Sequence, residues 1–165
     1  IYGWSKNWSF DWFFTINAFW IFFITYFFKK MINSKIVKIA SFTKNVGLTN
    51  NFTHKSFAKN SLCGDTIKVE FIANRSMVKS MRYETNSCIL CEASASLLSR
   101  KIKNNQINMI VKEIDKFKNL KNNINLNLPS KFKDFKELIN KKNINRLNCV
   151  ILPMEAFLKA FKIKA

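Results

Sequence analysis

Acidic residues are scarce in this chain. Its 165 residues hold 10 Asp and Glu against 28 Lys and Arg, a formal charge of +18. Taken bare, that excess points to nucleic acid or an anionic membrane. Yet no block of five or more basic residues marks an interaction tail, and the 24 lysines are scattered. Asn, Ile and Phe are abundant as well, the mark of AT-rich coding, so nucleic-acid binding is not expected. Histidine is nearly absent. The lone His54 reads as a surface or structural residue and is left out of the site. No small-residue cleavage site follows the apolar N-terminal stretch, so no secretory signal is read there. Without one, four cysteines argue for ligand or redox roles rather than a disulfide framework. The cytoplasm is the expected compartment. No internal repeat is visible, and the length suits one domain with a modest core.

Leucine is missing altogether from residues 1–30, which nevertheless hold all four Trp and eight of the seventeen Phe. Trp12 to Phe28 is an uncharged run of 17 residues closed by Lys29 and Lys30. One reading is a membrane anchor, since about 17–25 apolar residues can span a bilayer with Lys just outside. The reading adopted is that 1–30 is upstream translation and not part of the native domain, which then runs over 31–165. No membrane partner is expected for a chain starting at Met31.

Beyond Met31 the periodicities change. Ile36, Val37 and Ile39 to Ala40 suggest a short helix, and Phe52 to Lys59 a first strand. Ile67, Val69, Phe71 and Ala73 alternate with Lys68, Glu70 and Ile72, which predicts a half-buried strand. A turn at Asn74-Arg75-Ser76 leads to a strand over Met77 to Thr85. Placing Val78, Met81 and Tyr83 on one face requires a bulge between Val78 and Met81. Ile107, Ile110, Val111, Ile114, Phe117 and Leu120 make the buried stripe of a helix, with Lys112, Glu113, Lys116 and Lys118 solvated. Leu128-Pro129-Ser130 opens a short helix carrying Phe132, Phe135, Leu138 and Ile139. Val150, Met154, Phe157 and Phe161 line a last helix. Pro153 is tolerable only near a first turn, which puts Cys149 at or before that helix's start.

The stretch from Asn86 to Leu98 organises the rest. Asn86 or Ser87 can cap a helix, whose Leu90, Ala93, Leu97 and Lys101 share one face. Cys88 then falls in the first turn, where free N–H groups and the helix dipole favour a thiolate. Upstream stands Cys63-Gly64-Asp65, a turn in which Gly64 lets Cys63 and Asp65 aim at one point. Downstream stands Arg146-Leu147-Asn148-Cys149. Three thiols and one carboxylate from three segments read as a metal site. A permanent zinc staple usually uses paired Cys-x2-Cys knuckles, whereas these ligands come singly. Cys91 lies one helical turn after Cys88 and is read as a small buried filler rather than a ligand or persulfide relay.

The order Cys-Gly-Asp, Cys-x4-Ala-Ser-Ala-Ser and Arg-x-x-Cys resembles the iron–sulfur assembly proteins IscU, SufU and the N-terminal domain of NifU. Asn148 where IscU has His, and the 61-residue gap from Cys88 to Cys149, bring it closer to SufU. Ser87 and Cys91 depart from the family's usual small residues. The resemblance implies an α+β fold, a small antiparallel sheet of about three strands packed against four to five helices. It implies that Cys63, Asp65, Cys88 and Cys149 bind Zn2+, Fe or a transient [2Fe–2S] cluster. Cys63 is the expected persulfide acceptor, with Cys149 as runner-up. The implied partners are a SufS- or IscS-type cysteine desulfurase and apo iron–sulfur acceptor proteins. The implied role is mainly that of a scaffold, with a zinc-dependent sulfurtransferase activity as its enzymatic form. The competing classes are a zinc-stabilised basic module and a membrane-anchored variant.

Overall fold

Ile67, Val69 and Phe71 are buried, as a period-two pattern assigns them. In the computed structural model, which describes residues 34–119, 128, 130–140 and 143–163, they lie on β2 (Thr66–Asn74). β2 sits in an antiparallel sheet of order β1-β2-β3-β4 with β1 (His54–Lys59), β3 (Met77–Asn86) and β4 (Asn105–Gln106). The sequence reading found three strands. The fourth has only two residues and carries no alternation to read. β1 begins at His54 rather than Phe52. Between β2 and β3 the register runs Phe71↔Met81, Ile72↔Ser80, then Ala73↔Val78, which leaves Lys79 as an extra residue. That bulge turns both Val78 and Met81 inward, as the sequence requires.

Glu70 corrects the alternation. Only 4 % exposed, it accepts the backbone N–H groups of Thr49 (2.9 Å) and Asn50 (3.2 Å). Opposite it on β3, Arg82 donates from Nε to Gly47 O (2.7 Å) and from Nη2 to Val46 O (2.6 Å). Residues 45–47 pair with the backbone of Tyr83 on β3, and 46–50 are held further by two charged side chains that the pattern assigns to solvent. Val46 bridges Tyr83 in parallel, and Gly47 takes a φ of +84° that a side chain would strain.

Two helices cover the inner face. α1 (Ser34–Ala40) precedes the sheet; α2 (Ile89–Lys101) and α4 (Leu147–Ala160) pack on each other and on the strands. Leu90, Ala93 and Leu97 are buried as expected, but so are Cys91, Ser94, Ala95, Ser96, Leu98 and Ser99. Small side chains permit this close approach. Their hydroxyls satisfy backbone and side-chain partners: Ser94 Oγ donates to Val150 O (2.5 Å), Ser96 Oγ to Ile39 O (2.9 Å), and Ser99 Oγ accepts Asn45 Nδ2 (2.9 Å). Phe157 of α4 meets Phe71 of β2 edge-on, with ring centroids 5.4 Å apart.

α3 (Ile107–Asn119) buries Ile110, Ile114 and Phe117. Glu113 is half-buried rather than solvated and pairs with Lys116 at 3.1 Å. The expected short helix after residue 128 is a 3-10 helix, Ser130–Glu137, and Phe132, Phe135, Leu138 and Ile139 are all buried. α4 contains Pro153 at its seventh residue, not near its start. Pro153 removes the N–H that would have met Cys149 O and crowds that carbonyl; burial of Val150 to Met154 offsets the cost and the helix continues. Cys149 thus lies in the first turn, inside the helix. Leu120 and the whole of 1–30 lie outside the described residues. Among the described residues, no helix is long and apolar enough to cross a membrane.

Candidate metal centre

The turn from β1 to β2 is tied by its own backbone. Asn60 N–H donates to Asp65 O (2.8 Å) and Gly64 N–H to Asn60 O (2.9 Å). Inside it, Leu62 N–H donates to Asn60 Oδ1 (3.0 Å), an Asx-type turn. Gly64 has a φ of +76°, the left-handed geometry that the sequence reading assigned to it. The turn leaves Cys63 exposed at its tip and Asp65 buried at its foot.

α2 and α4 bring their first residues to that foot. Cys88 is the N-cap of α2, in extended geometry (φ −70°, ψ 159°), and no side-chain cap from Asn86 or Ser87 forms. Asp65 takes the capping role from across the fold. Its Oδ1 accepts the Cys88 N–H at 2.9 Å, which places a carboxylate at the positive end of the helix. Cys149 is buried, and its Sγ lies 3.5 Å from Cys63 Sγ.

One ligand atom each from Cys63, Asp65 and Cys149 lies within 4.8 Å of the others. The Cys88 thiol stands outside that set of three, though it acts on both Asp65 and Cys149 across the site. Four expected residues thus meet in one place, three of them within coordination range. The donor set fits a soft metal. Tetrahedral Zn–S bonds of about 2.3 Å require thiolates roughly 3.8 Å apart, close to the separation found. Asp65 Oδ2 is buried without a hydrogen-bond partner, an acceptor left open toward its neighbours.

The electrostatics agree. Burial works to raise the Asp65 carboxyl, but the nearby Cys63 thiol, the Cys88 backbone N–H and the neighbouring Cys149 and Cys88 thiols outweigh it. The carboxyl is held below its ordinary value. Burial, then the Asp65 and Cys63 side chains and Cys88, push the Cys149 thiol well up. A buried Cys149 thiol that resists losing its proton beside a carboxylate is what a cation relieves.

Cys91 is fully buried in α2, and burial pushes its thiol up to about 12. It belongs to the core and not to the three-residue set. His54 stands at the far end of β1, with its ring 4.5 Å from that of Phe161 and Nδ1 2.8 Å from Thr53 Oγ1. Asn60 is the residue the sequence reading passed over as a turn former. Its Nδ2 lies 3.8 Å from Cys149 Sγ. An Asn three residues before a Cys-Gly pair was the available signal.

The NifU-like N terminal domain profile matches residues 31–144, ending just before Cys149. The iron–sulfur cluster assembly scaffold protein IscU of Thermotoga maritima is 27 % identical over 136 residues, covering 82 % of this chain and 95 % of that protein. Among solved structures, the NifU-like N-terminal protein of Brucella abortus superposes with a TM-score of 0.69 at 20 % identity. The match covers 79 % of this chain and 91 % of that one. The SufU-type scaffold of Fervidobacterium islandicum gives 0.69 at 16 % identity, over 79 % and 96 %. These two structures speak for the α+β fold, and the profile and the IscU relative for descent. The chain belongs to the NifU-like N-terminal domain family of iron–sulfur cluster assembly scaffolds.

Proposed function

We propose that this protein accepts sulfur from a cysteine desulfurase and assembles a [2Fe–2S] cluster on Cys63, Asp65, Cys88 and Cys149 for delivery to apo acceptor proteins. The observation that carries this reading is the meeting of ligand atoms from Cys63, Asp65 and Cys149 within 4.8 Å of one another, with Asp65 Oδ2 buried and unpartnered. Zn2+ fits the same donors and serves as the resting occupant on the sulfur-acceptor side of the reading.

Cys63 is the sulfur acceptor. It alone of the four cysteines is exposed, on a turn hinged at Gly64. Its thiolate attacks the outer sulfur of a donor persulfide; one S–S bond forms as another breaks, and the donor cysteine leaves as thiolate. Cys149, 3.5 Å away, is the alternative acceptor. Asp65 supplies the weaker, more exchangeable ligand, since a carboxylate is a harder partner than thiolate for soft iron. Cys88 contributes from the start of α2, where its backbone already anchors Asp65.

The test is to incubate the protein with a cysteine desulfurase, cysteine and iron under anaerobic conditions, then to measure iron, zinc and acid-labile sulfide per chain. About one Zn2+ or one cluster is expected, lost on Cys63→Ser, Cys88→Ser or Cys149→Ser but kept on Cys91→Ser. Mass spectrometry after brief exposure should find the extra sulfur on the Cys63 peptide. Equal loss on Cys91→Ser overturns the ligand set, and sulfur on Cys149 alone overturns the acceptor.

A further inference from the structure

We propose that Asn60 is a positioning residue of this centre, one whose side chain joins the Cys63 turn to Cys149 through an N–H···S hydrogen bond. The inference rests on the proposed metal site and adds a member to it. Asn60 is buried, and every polar group it owns is in use. Its backbone N–H and C=O hold Asp65 and Gly64. Its Oδ1 accepts Leu62 N–H at 3.0 Å, and its Nδ2 stands 3.8 Å from Cys149 Sγ. The amide orientation follows from its partners. A backbone N–H can only donate, so Oδ1 must face Leu62 and the N–H2 end must face the sulfur.

The consequence is asymmetric. Cys63 belongs to the turn itself, whereas Cys149 arrives on α4, 86 residues later in the chain. The Asn60 side chain ties the turn, through Leu62 N–H, to Cys149 Sγ. A donated N–H withdraws charge from a thiolate, stabilises it against protonation and fixes its direction, as outer partners of metal ligands do. Cys149 is thereby the held thiol and Cys63 the one free to swing out on its turn. This division of labour is what a site needs if one sulfur takes up cargo while the others keep it.

Asn60→Asp separates the two jobs. The carboxylate still accepts Leu62 N–H, so the turn keeps its tie, but it cannot donate to sulfur. Its added negative charge would, by itself, tighten a divalent cation. A weakening therefore reports the lost donor. In the full chain, competition titration with Zn2+ should show affinity falling about 10- to 100-fold in Asn60→Asp, with the Leu62 amide as protected from hydrogen exchange as in the parent. A second, metal-free arm reads the contact itself. In the apo protein, Cys149→Ala should shift the Asn60 side-chain amide resonances and leave the Leu62 amide in place. With NMR-active cadmium bound, scalar coupling from the metal to an Asn60 side-chain proton is expected. Unchanged Zn2+ affinity in Asn60→Asp, or Asn60 side-chain resonances indifferent to Cys149→Ala, overturns the inference. A parent protein that takes no metal instead sinks the proposed function, while the metal-free arm still judges Asn60.

Discussion

At the scale of the residue, Asp65 decides whether this centre hands on its cargo or merely keeps it. Its carboxylate is buried, anchored by the Cys88 N–H and open at Oδ2. In a permanent staple, Asp65→Ala simply loosens the metal. In an assembly site, it removes the ligand most ready to exchange. The variant is expected to acquire a cluster and release it to an apo acceptor more slowly, followed by visible absorbance and circular dichroism. Transfer as fast as the parent's rules out Asp65 as the release point. Cys91 gives a second residue-scale test. Its thiol is raised to about 12 by burial, above an ordinary value of 9.0. A group raised on folding contributes stability that is full below its unfolded pKa and disappears as pH climbs through the folded one. The metal-free protein should therefore lose stability between about pH 9 and 12. Cys91→Ala, which cannot ionise, should flatten that part of the curve in denaturant titrations at stepped pH. A slope unchanged by the substitution would clear Cys91 of any part in it.

At the scale of the element, the sequence was most readable where one period governed a whole segment. The stripe of α3 and the inward residues of β2 followed directly from spacing, and the Val78–Met81 conflict even called for a bulge between them, which the register puts at Lys79. Elements failed to be legible where a partner far along the chain decided the matter. Glu70 and Arg82 look solvated because their acceptors and donors, residues 46–50, are more than twenty positions away from at least one of them. The start of α2 looked as if Asn86 or Ser87 would cap it, but Asp65 supplies the acceptor from the turn before β2. The Pro153 argument failed because a helix held by burial on several sides tolerates one lost backbone bond. The 45–50 cover offers the test. Glu70→Ala leaves two backbone N–H groups without their acceptor, at a cost of about 1–3 kcal/mol, and Arg82→Ala strips two carbonyls likewise. Because both side chains hold one segment, the double variant should fall short of the sum of the singles, measured by equilibrium denaturation. Strict additivity would mean that Glu70 and Arg82 act independently, the segment being held mainly by its backbone bonds to Tyr83.

At the scale of the whole molecule, the candidate donors were legible, three of them lying within 4.8 Å of one another, and their surroundings were not. Cys63, Asp65, Cys88 and Cys149 stood out because each sits at a motif with its own local logic, and the fold brings them to one end of the sheet. Asn60 stayed hidden because its role appears only when α4 folds back across 89 positions. The strong positive charge remained uninformative, since the basic residues form no block in the sequence. The family match begins at residue 31, and the IscU relative is covered almost to its full length. Among the described residues, the buried side chains of α1, the sheet, α2, α3 and α4 form one cluster. A fragment of residues 31–165 is therefore expected to fold and stay soluble without detergent, with a single cooperative unfolding transition. It should also retain the metal stoichiometry of the full chain, because every proposed ligand lies within it. Size-exclusion chromatography and metal analysis of both forms check the point. Insolubility of the fragment, cured by restoring residues 1–30, would make that segment part of the native protein.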